Sequence, residues 1–127
     1  MHERLFREYM ISDELKYHLL KLLENDPHMS QRAISREMNI SLGKVNYCMK
    51  ALVDKGIIKA KNFVKNKNKT AYAYYLTPKG VEEKAKVTFH FLQSKLNEYE
   101  QLKSEIEEIR QEAALIAKDQ QPRKTDD

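Results

Sequence analysis

The first half of the chain contains three short amphipathic segments, each preceded by a serine. After Ser12, leucines recur at helical spacing until Pro27, and Ser30 opens a second, shorter segment. A third segment begins after Ser41 and ends at Gly56. A serine hydroxyl accepts a backbone N–H in the first turn of a helix, and glycine and proline commonly follow helix ends. The pattern therefore predicts three consecutive helices.

The residues after Gly56 have the composition of strands. Segments 57–65 and 71–76 are rich in β-branched and aromatic residues, whereas the Asn-Lys-Asn-Lys sequence at 66–69 is typical of a turn. Together they predict a β-hairpin with a cationic tip. Pro78 follows a threonine and suits the first position of another helix.

From Pro78 to about Lys118 the sequence predicts one long helix with an apolar stripe at spacings of three and four residues. Such a stripe favours a coiled coil between two copies of the chain, in either orientation. Folding back onto its own domain and binding another protein's helix remain alternatives. The predicted dimer contacts are Leu92, Leu96, Tyr99, Leu102, Ile106 and Ile109.

The order of these elements predicts a mostly α fold with a small β-hairpin wing (α+β). It corresponds to a winged helix-turn-helix over residues 12–80, followed by a C-terminal coiled-coil dimerisation helix over 81–118. Residues 119–127 are polar and are predicted to be a disordered tail. A chain of 127 residues has room for one such domain with an appendage.

Charge is distributed unevenly along the chain. Residues 27–80 hold 11 basic and 2 acidic residues, a net charge of +9, whereas residues 81–127 hold 8 basic and 11 acidic residues. A compact segment with such an excess has the electrostatic character of a polyanion-binding surface. Its basic residues fall where a winged helix contacts DNA: the start of the second helix, the third helix and the wing.

The third helix has separate apolar and polar faces. Val45, Met49 and Leu52 lie at i, i+4 and i+7, with Cys48 beside them, and predict a face anchored in the core. The opposite side carries small and polar residues that can reach base edges or phosphates. The predicted DNA contacts are Gln31, Arg32, Ser41, Gly43, Lys44, Asn46, Tyr47, Lys50, Lys65, Lys67, Asn68 and Lys69.

Each of these features has a simpler interpretation. A polar helix face can be merely solvated, and lysines on a hairpin can simply protect a sheet edge. The coincidence of basic residues at all three contact positions favours sequence-specific binding of double-stranded DNA. The alternative from another class is a protein-interaction module that docks partners through its coiled coil, but such modules usually lack the basic recognition face.

The sequence carries no pattern typical of catalysis or of a cofactor site. The single cysteine, Cys48, excludes an internal disulfide and suits a reducing compartment, so a cytoplasmic location is expected. The four histidines lack metal-ligand spacing, and the three glycines form no phosphate-binding loop. No apolar run is long enough for a membrane span. We therefore expect neither an enzyme nor a bound cofactor, and the sequence does not determine whether a small-molecule effector binds.

Residues 30–58, SQRAISREMNISLGKVNYCMKALVDKGII, resemble the helix-turn-helix of the MarR family of bacterial regulators. YYLTPKG at 74–80 resembles that family's second wing strand and its turn into the next helix. SLGKVNYC with NKNKTAYAYYLTPKG is similar, more narrowly, to the small MarR-type regulators associated with exopolysaccharide gene clusters. The resemblance covers roughly residues 12–80. It implies a dimeric repressor or activator whose promoter contacts lie at Gln31 and Arg32, at 41–50 and at 65–69.

Overall fold

A computed structural model describes residues 11–66 and 69–120, apart from the side chains of residues 64–66, 69 and 70. It confirms the mostly α architecture with a two-stranded wing and a long C-terminal helix. The elements are α1 (Asp13–Asn25), α2 (Gln31–Met38), α3 (Leu42–Asp54), β1 (Ile58–Asn66), β2 (Lys69–Leu76) and α4 (Pro78–Gln120).

The three short helices begin where the serines predict. The hydroxyls of Ser12, Ser30 and Ser41 each accept a backbone N–H three residues later, at 3.1 Å in every case. These bonds satisfy N–H groups that have no partner inside the helix. The helix starts are therefore fixed by contacts within a few residues of the chain.

The two strands of the wing pair in antiparallel register, with Ile58 opposite Leu76 and an irregularity between Val64 and Asn66. Both strands continue beyond the predicted segments 57–65 and 71–76, because residues of the predicted turn also pair. The backbone N–H of Tyr74 donates to the carbonyl of Pro27 at 2.9 Å. This bond attaches the hairpin to the segment that precedes α2.

A single apolar core joins the helices to the base of the wing. Each of the three short helices contributes fully buried side chains, and the first residues of β1 cover them. Burying one such side chain contributes about 1.5–3 kcal/mol. The best buried of them are Leu19, Leu20, Leu23, Ile34, Val45, Cys48, Met49, Leu52 and Ile58.

The first turns of α4 belong to the winged-helix unit, which extends to Phe91 and thus past the predicted boundary at residue 80. Val87 is only 1% exposed, and the Glu83 carboxylate lies 2.9 Å from the Lys16 ammonium. The Phe91 ring packs on Tyr17 at 5.0 Å between centroids. The structure thus shows contacts with α1 beyond the predicted boundary at residue 80, because Lys16 and Tyr17 both lie on that helix.

Residues 92–120 form a second unit that consists of one helix. Its last two residues, 119 and 120, are helical although the sequence assigned them to the tail, and 121–127 lie outside the described residues. The six predicted dimer contacts are exposed, from 43% at Ile106 to 63% at Ile109. Within the described chain, no helix has the length and apolar character needed to cross a membrane.

Candidate nucleic-acid interface

The turn between α2 and α3 is closed by local hydrogen bonds. Asn39 takes the left-handed conformation (φ 54°), and the next residue, Ile40, donates its N–H to the carbonyl of Ser35 at 3.1 Å. The Ser35 hydroxyl donates in return to the carbonyl of Ile40. Because both bonds join the end of α2 to the turn, they set the direction in which α3 begins.

The two faces of α3 are divided as the sequence predicts. The apolar anchor residues are at most 1% exposed, whereas the side opposite is open to solvent. Lys44, predicted on the flank, is half-buried, and the Ser41 hydroxyl caps the helix by accepting the Lys44 N–H. The exposed predicted contacts on this helix are Gly43, Asn46, Tyr47 and Lys50.

A chain of side-chain hydrogen bonds links the wing to this exposed face. The amide of Gln31 donates to the Tyr74 hydroxyl at 3.2 Å. Its carbonyl oxygen accepts from the Asn46 amide at 3.3 Å. Tyr74 is 9% exposed, so its ring is held in the core while its hydroxyl reaches the network. Gln31, predicted as a direct DNA contact, thus connects β2, α2 and α3.

The remaining predicted contacts lie on α2 and the wing. Arg32 is exposed in the first turn of α2. Lys65 and Lys69 belong to β1 and β2, but their side chains are not described, and Lys67 and Asn68 lie outside the described residues. The exposed lysines that the structure does place on the wing are Lys59 and Lys61.

A groove of about 250 Å³ lies between α3 and the wing. Gln31, Asn46 and Lys50 line it together, so the structure brings these three predicted contacts to one surface, whereas Gly43 and Tyr47 do not line it. Tyr72, which is 56% exposed, forms part of the wall on the wing side.

Sequence reasoning did not single out Tyr72 or Tyr74. Both lie on β2, two residues apart, so they project from the same face of the strand, with ring centroids 6.2 Å apart. The alternation in the sequence Ala-Tyr-Ala-Tyr at 71–74 is the signal that could have identified this pair. It predicts a tyrosine face on the wing but not which surface that face meets.

Cys48 lies on the buried side of α3. Burial raises the pKa of its thiol, and the positive charge of Lys44 lowers it by less, so the thiol is protonated at neutral pH. Among residues 11–66 and 69–120, no three His, Cys, Asp or Glu side chains are grouped so that they could hold a metal ion.

Replacing Tyr74 with Phe is expected to reduce DNA discrimination more than stability. The change removes the acceptor for Gln31, and a hydrogen bond of this kind contributes about 0.5–1.5 kcal/mol. Asn46 then loses the support that orients its amide. The measurement is the ratio of affinities for a selected DNA site and for random DNA, with Tyr75→Phe as the matched control, since Tyr75 lies on the same strand but does not line the groove. An unchanged ratio in Tyr74→Phe contradicts the positioning role.

Comparison with known proteins finds a family and several similar structures. Residues 12–59 match the family described as winged helix-turn-helix DNA-binding. The search of curated protein sequences finds no match. The adhesin competence repressor of Streptococcus pyogenes is structurally similar, with a TM-score of 0.51 and 21% identity over 84% of this chain and 81% of that one.

Two further solved structures have the same fold. MarR of Staphylococcus aureus, in complex with salicylate and kanamycin, has a TM-score of 0.50 and 20% identity, over 90% of this chain and 78% of that one. FabT of Streptococcus pneumoniae, in complex with DNA, has a TM-score of 0.50 and 16% identity, over 84% and 76%. At these identities the likeness shows a shared fold.

The matched segment contains α1, α2, α3 and the start of β1. These elements include the exposed face of α3 and the two helical members of its supporting hydrogen-bond network. Residues 12–59 of this chain are therefore similar to the winged helix-turn-helix DNA-binding family, and the chain has a winged-helix fold that solved structures of MarR-family regulators share.

Proposed function

We propose that the chain is a homodimeric transcription regulator that binds promoter DNA sequence-specifically. The observation that carries the proposal is the exposed polar face of α3, where Asn46 is held by Gln31 and, through it, by Tyr74. An ordered amide is what a base-reading contact requires, because its two hydrogen-bonding groups must match the base edge. A merely solvated face has no need of such support.

In this proposal α3 enters the major groove and its exposed residues read the bases. Asn46 is suited to adenine and Lys50 to guanine, while Tyr47 contacts a base edge or a phosphate. Gly43 permits close approach of the helix backbone, since a Cβ built there has no atom within 4 Å. Gln31 acts by positioning Asn46, while Arg32 and the wing lysines bind phosphates.

The homodimer of this proposal provides two copies of α3 for two half-sites, and the exposed apolar stripe of α4 is its interface. The target class is promoters of exopolysaccharide biosynthesis genes, a choice that rests on the resemblance of residues 41–48 and 66–80 alone. The proposed location is the cytoplasm, where promoter DNA is present and a single free cysteine stays reduced.

The test is selection of bound duplexes from a random pool, followed by titration of the selected and random DNA at several salt concentrations. Neutralising 6–10 phosphates releases counterions, so affinity is expected to fall by roughly 10³–10⁵ between about 50 and about 200 mM salt. If no DNA binds at low salt, the protein-interaction module replaces this proposal.

Two sets of variants separate base reading from phosphate binding. Asn46→Ala and Tyr47→Ala are expected to reduce discrimination by about 1–3 kcal/mol for each lost base contact. Lys67→Ala with Lys69→Ala is expected to weaken binding to every sequence and to flatten the salt dependence. If both sets of variants change sequence discrimination and overall affinity in the same way, the assignment of base reading to α3 is contradicted.

A further inference from the structure

The helical unit beyond Phe91 carries a heptad repeat whose two core positions can be assigned. Every seventh residue from 92 is apolar until 113, and these residues take position a. Every seventh residue from 102 is also apolar, and these take position d. The seam consists of Leu92, Tyr99, Ile106 and Ala113 at a, with Leu102, Ile109 and Ile116 at d. All of them are exposed in the single chain.

The positions that flank this seam differ in charge. Position g is acidic in four successive heptads, at Glu98, Glu105, Glu112 and Asp119. Position e is basic in the two central heptads, at Lys103 and Arg110. The helix therefore has an acidic edge on one side of its apolar stripe and a basic edge on the other.

This asymmetry discriminates between the two orientations of a helix pair. In a parallel pair, position g of one helix faces position e of the following heptad of the other. Glu105 then faces the partner's Arg110, and Glu98 faces the partner's Lys103, each pair occurring twice by symmetry. In an antiparallel pair, g faces g and e faces e, so acids oppose acids and bases oppose bases.

We propose that a second copy of this chain pairs with residues 92–119 as a parallel, in-register, two-stranded coiled coil. The inference rests on the homodimer of the proposed function and adds its orientation and register. Charge complementarity favours a second copy as the partner of this helix, since the acidic edge of one copy matches the basic edge of another.

The charged groups required for these pairs are accessible. No ion pair found among the described residues uses Lys103, Glu105 or Arg110. Glu98 lies 3.2 Å from Lys95 of its own helix, which makes Glu105 with the partner's Arg110 the cleaner pair to test. Lys95 falls at a d position, and this contact directs its ammonium toward the g edge, away from the seam.

Disulfide trapping tests the orientation in the full-length chain. Tyr99→Cys and Ala113→Cys, made separately, are each expected to give a covalent dimer under mild oxidation, because a parallel pair places identical a residues side by side. The two positions are about 21 Å apart along the helix. An antiparallel pair can bring at most one of them next to its own copy, so trapping at only one position overturns the proposal.

The matched control is Gln111→Cys, on the outer face of the same helix, which is expected to stay uncrosslinked. The unaltered chain is a second control, since its only cysteine, Cys48, is buried in the core. Crosslinking in either control at the rate of the a-position variants also overturns the proposal, because it shows trapping by random collision.

Charge reversal gives an independent test. Glu105→Lys and Arg110→Glu are each expected to weaken dimerisation about tenfold, because two attractive pairs become repulsive. The double variant restores opposite charges and is expected to dimerise like the unaltered chain. In an antiparallel pair position g faces position g, so Glu105→Lys replaces a contact between acids with another like-charge contact or with an attractive one, and it does not weaken dimerisation tenfold. The double variant then restores no pair that a single variant had lost.

Sedimentation separates the failure of this inference from the failure of the proposed function. A chain that sediments as a monomer contradicts the homodimer itself and, with it, the parallel pair. A dimer that is not trapped at both a positions contradicts only the orientation. DNA affinity, measured separately, decides the remainder of the proposed function.

Discussion

A chain that ends at Phe91 is expected to be a folded monomer that binds its selected DNA site at least about 100-fold more weakly than the full-length chain. The exposed stripe of α4 lies beyond this point, so the truncation removes the proposed dimer interface. A monomer contacts only one half-site at a time. In a dimer, binding of the first half-site holds the second copy of α3 close to the other half-site, which typically raises the overall affinity by a factor of 10²–10⁴.

The position of the truncation matters. A cut at residue 80, the boundary expected from the sequence, removes the buried Val87 together with Glu83 and Phe91, which pair with and pack on α1. Such a fragment is expected to lose stability as well as the dimer, and its weak DNA binding would have two causes. Ending at Phe91 retains these contacts and isolates the effect of dimerisation.

Sedimentation, thermal unfolding and DNA titration are measured together on this truncated chain. The full-length variant with Leu102→Glu and Ile109→Glu is the matched control, since it keeps every residue outside the stripe but opposes its burial. Both proteins are expected to be folded monomers with similarly weak DNA binding. A truncated chain that still sediments as a dimer places the interface outside the removed helix.

Replacing Gly80 with Ala is expected to lower the free energy of unfolding by about 1–3 kcal/mol. A Cβ at this position collides with the backbone carbonyl oxygen of Ile57. That oxygen cannot easily move, because it accepts the N–H of Thr77 at 3.1 Å and lies just before β1. The clash is therefore relieved only by shifting the start of α4 away from the wing.

Gly43→Ala is the matched control for this substitution. A Cβ built at Gly43 has no atom within 4 Å, and alanine favours a helix by up to about 1 kcal/mol over glycine. In urea unfolding, the midpoint is therefore expected to fall for Gly80→Ala and to rise for Gly43→Ala. A Gly80→Ala chain as stable as the unaltered one would show that the junction between the wing and α4 is not tightly packed.

The helix starts could be predicted from the sequence because the chemistry that fixes them is local. Ser30 and Ser41 accept bonds from residues three positions later, and Asn39 adopts the left-handed conformation that its side chain tolerates. The division of α3 into a buried and an exposed face could also be predicted from the sequence. Helical periodicity alone places Val45 and Asn46 on different sides of the axis.

The site could be predicted only in part. Periodicity and charge identified Asn46 and Lys50 as exposed on α3, and the structure agrees. The sequence predicted Gln31 as a direct DNA contact, and this stays a prediction. The structure adds that its amide is shared between Tyr74 and Asn46, and that sharing depends on a hairpin whose position no local pattern specifies.

The elements, their order, the buried and exposed sides of each helix and the basic character of one half of the chain can all be predicted from the sequence. Which distant surfaces meet depends on how the chain folds. Gln31 and Tyr74 are 43 positions apart, and Gly80 is required because a carbonyl of Ile57 lies against it. The winged-helix unit extends to Phe91 because the ring of this residue packs on Tyr17 of α1. Propensities and capping act over a few residues, whereas these contacts exist only after the core has brought remote segments together.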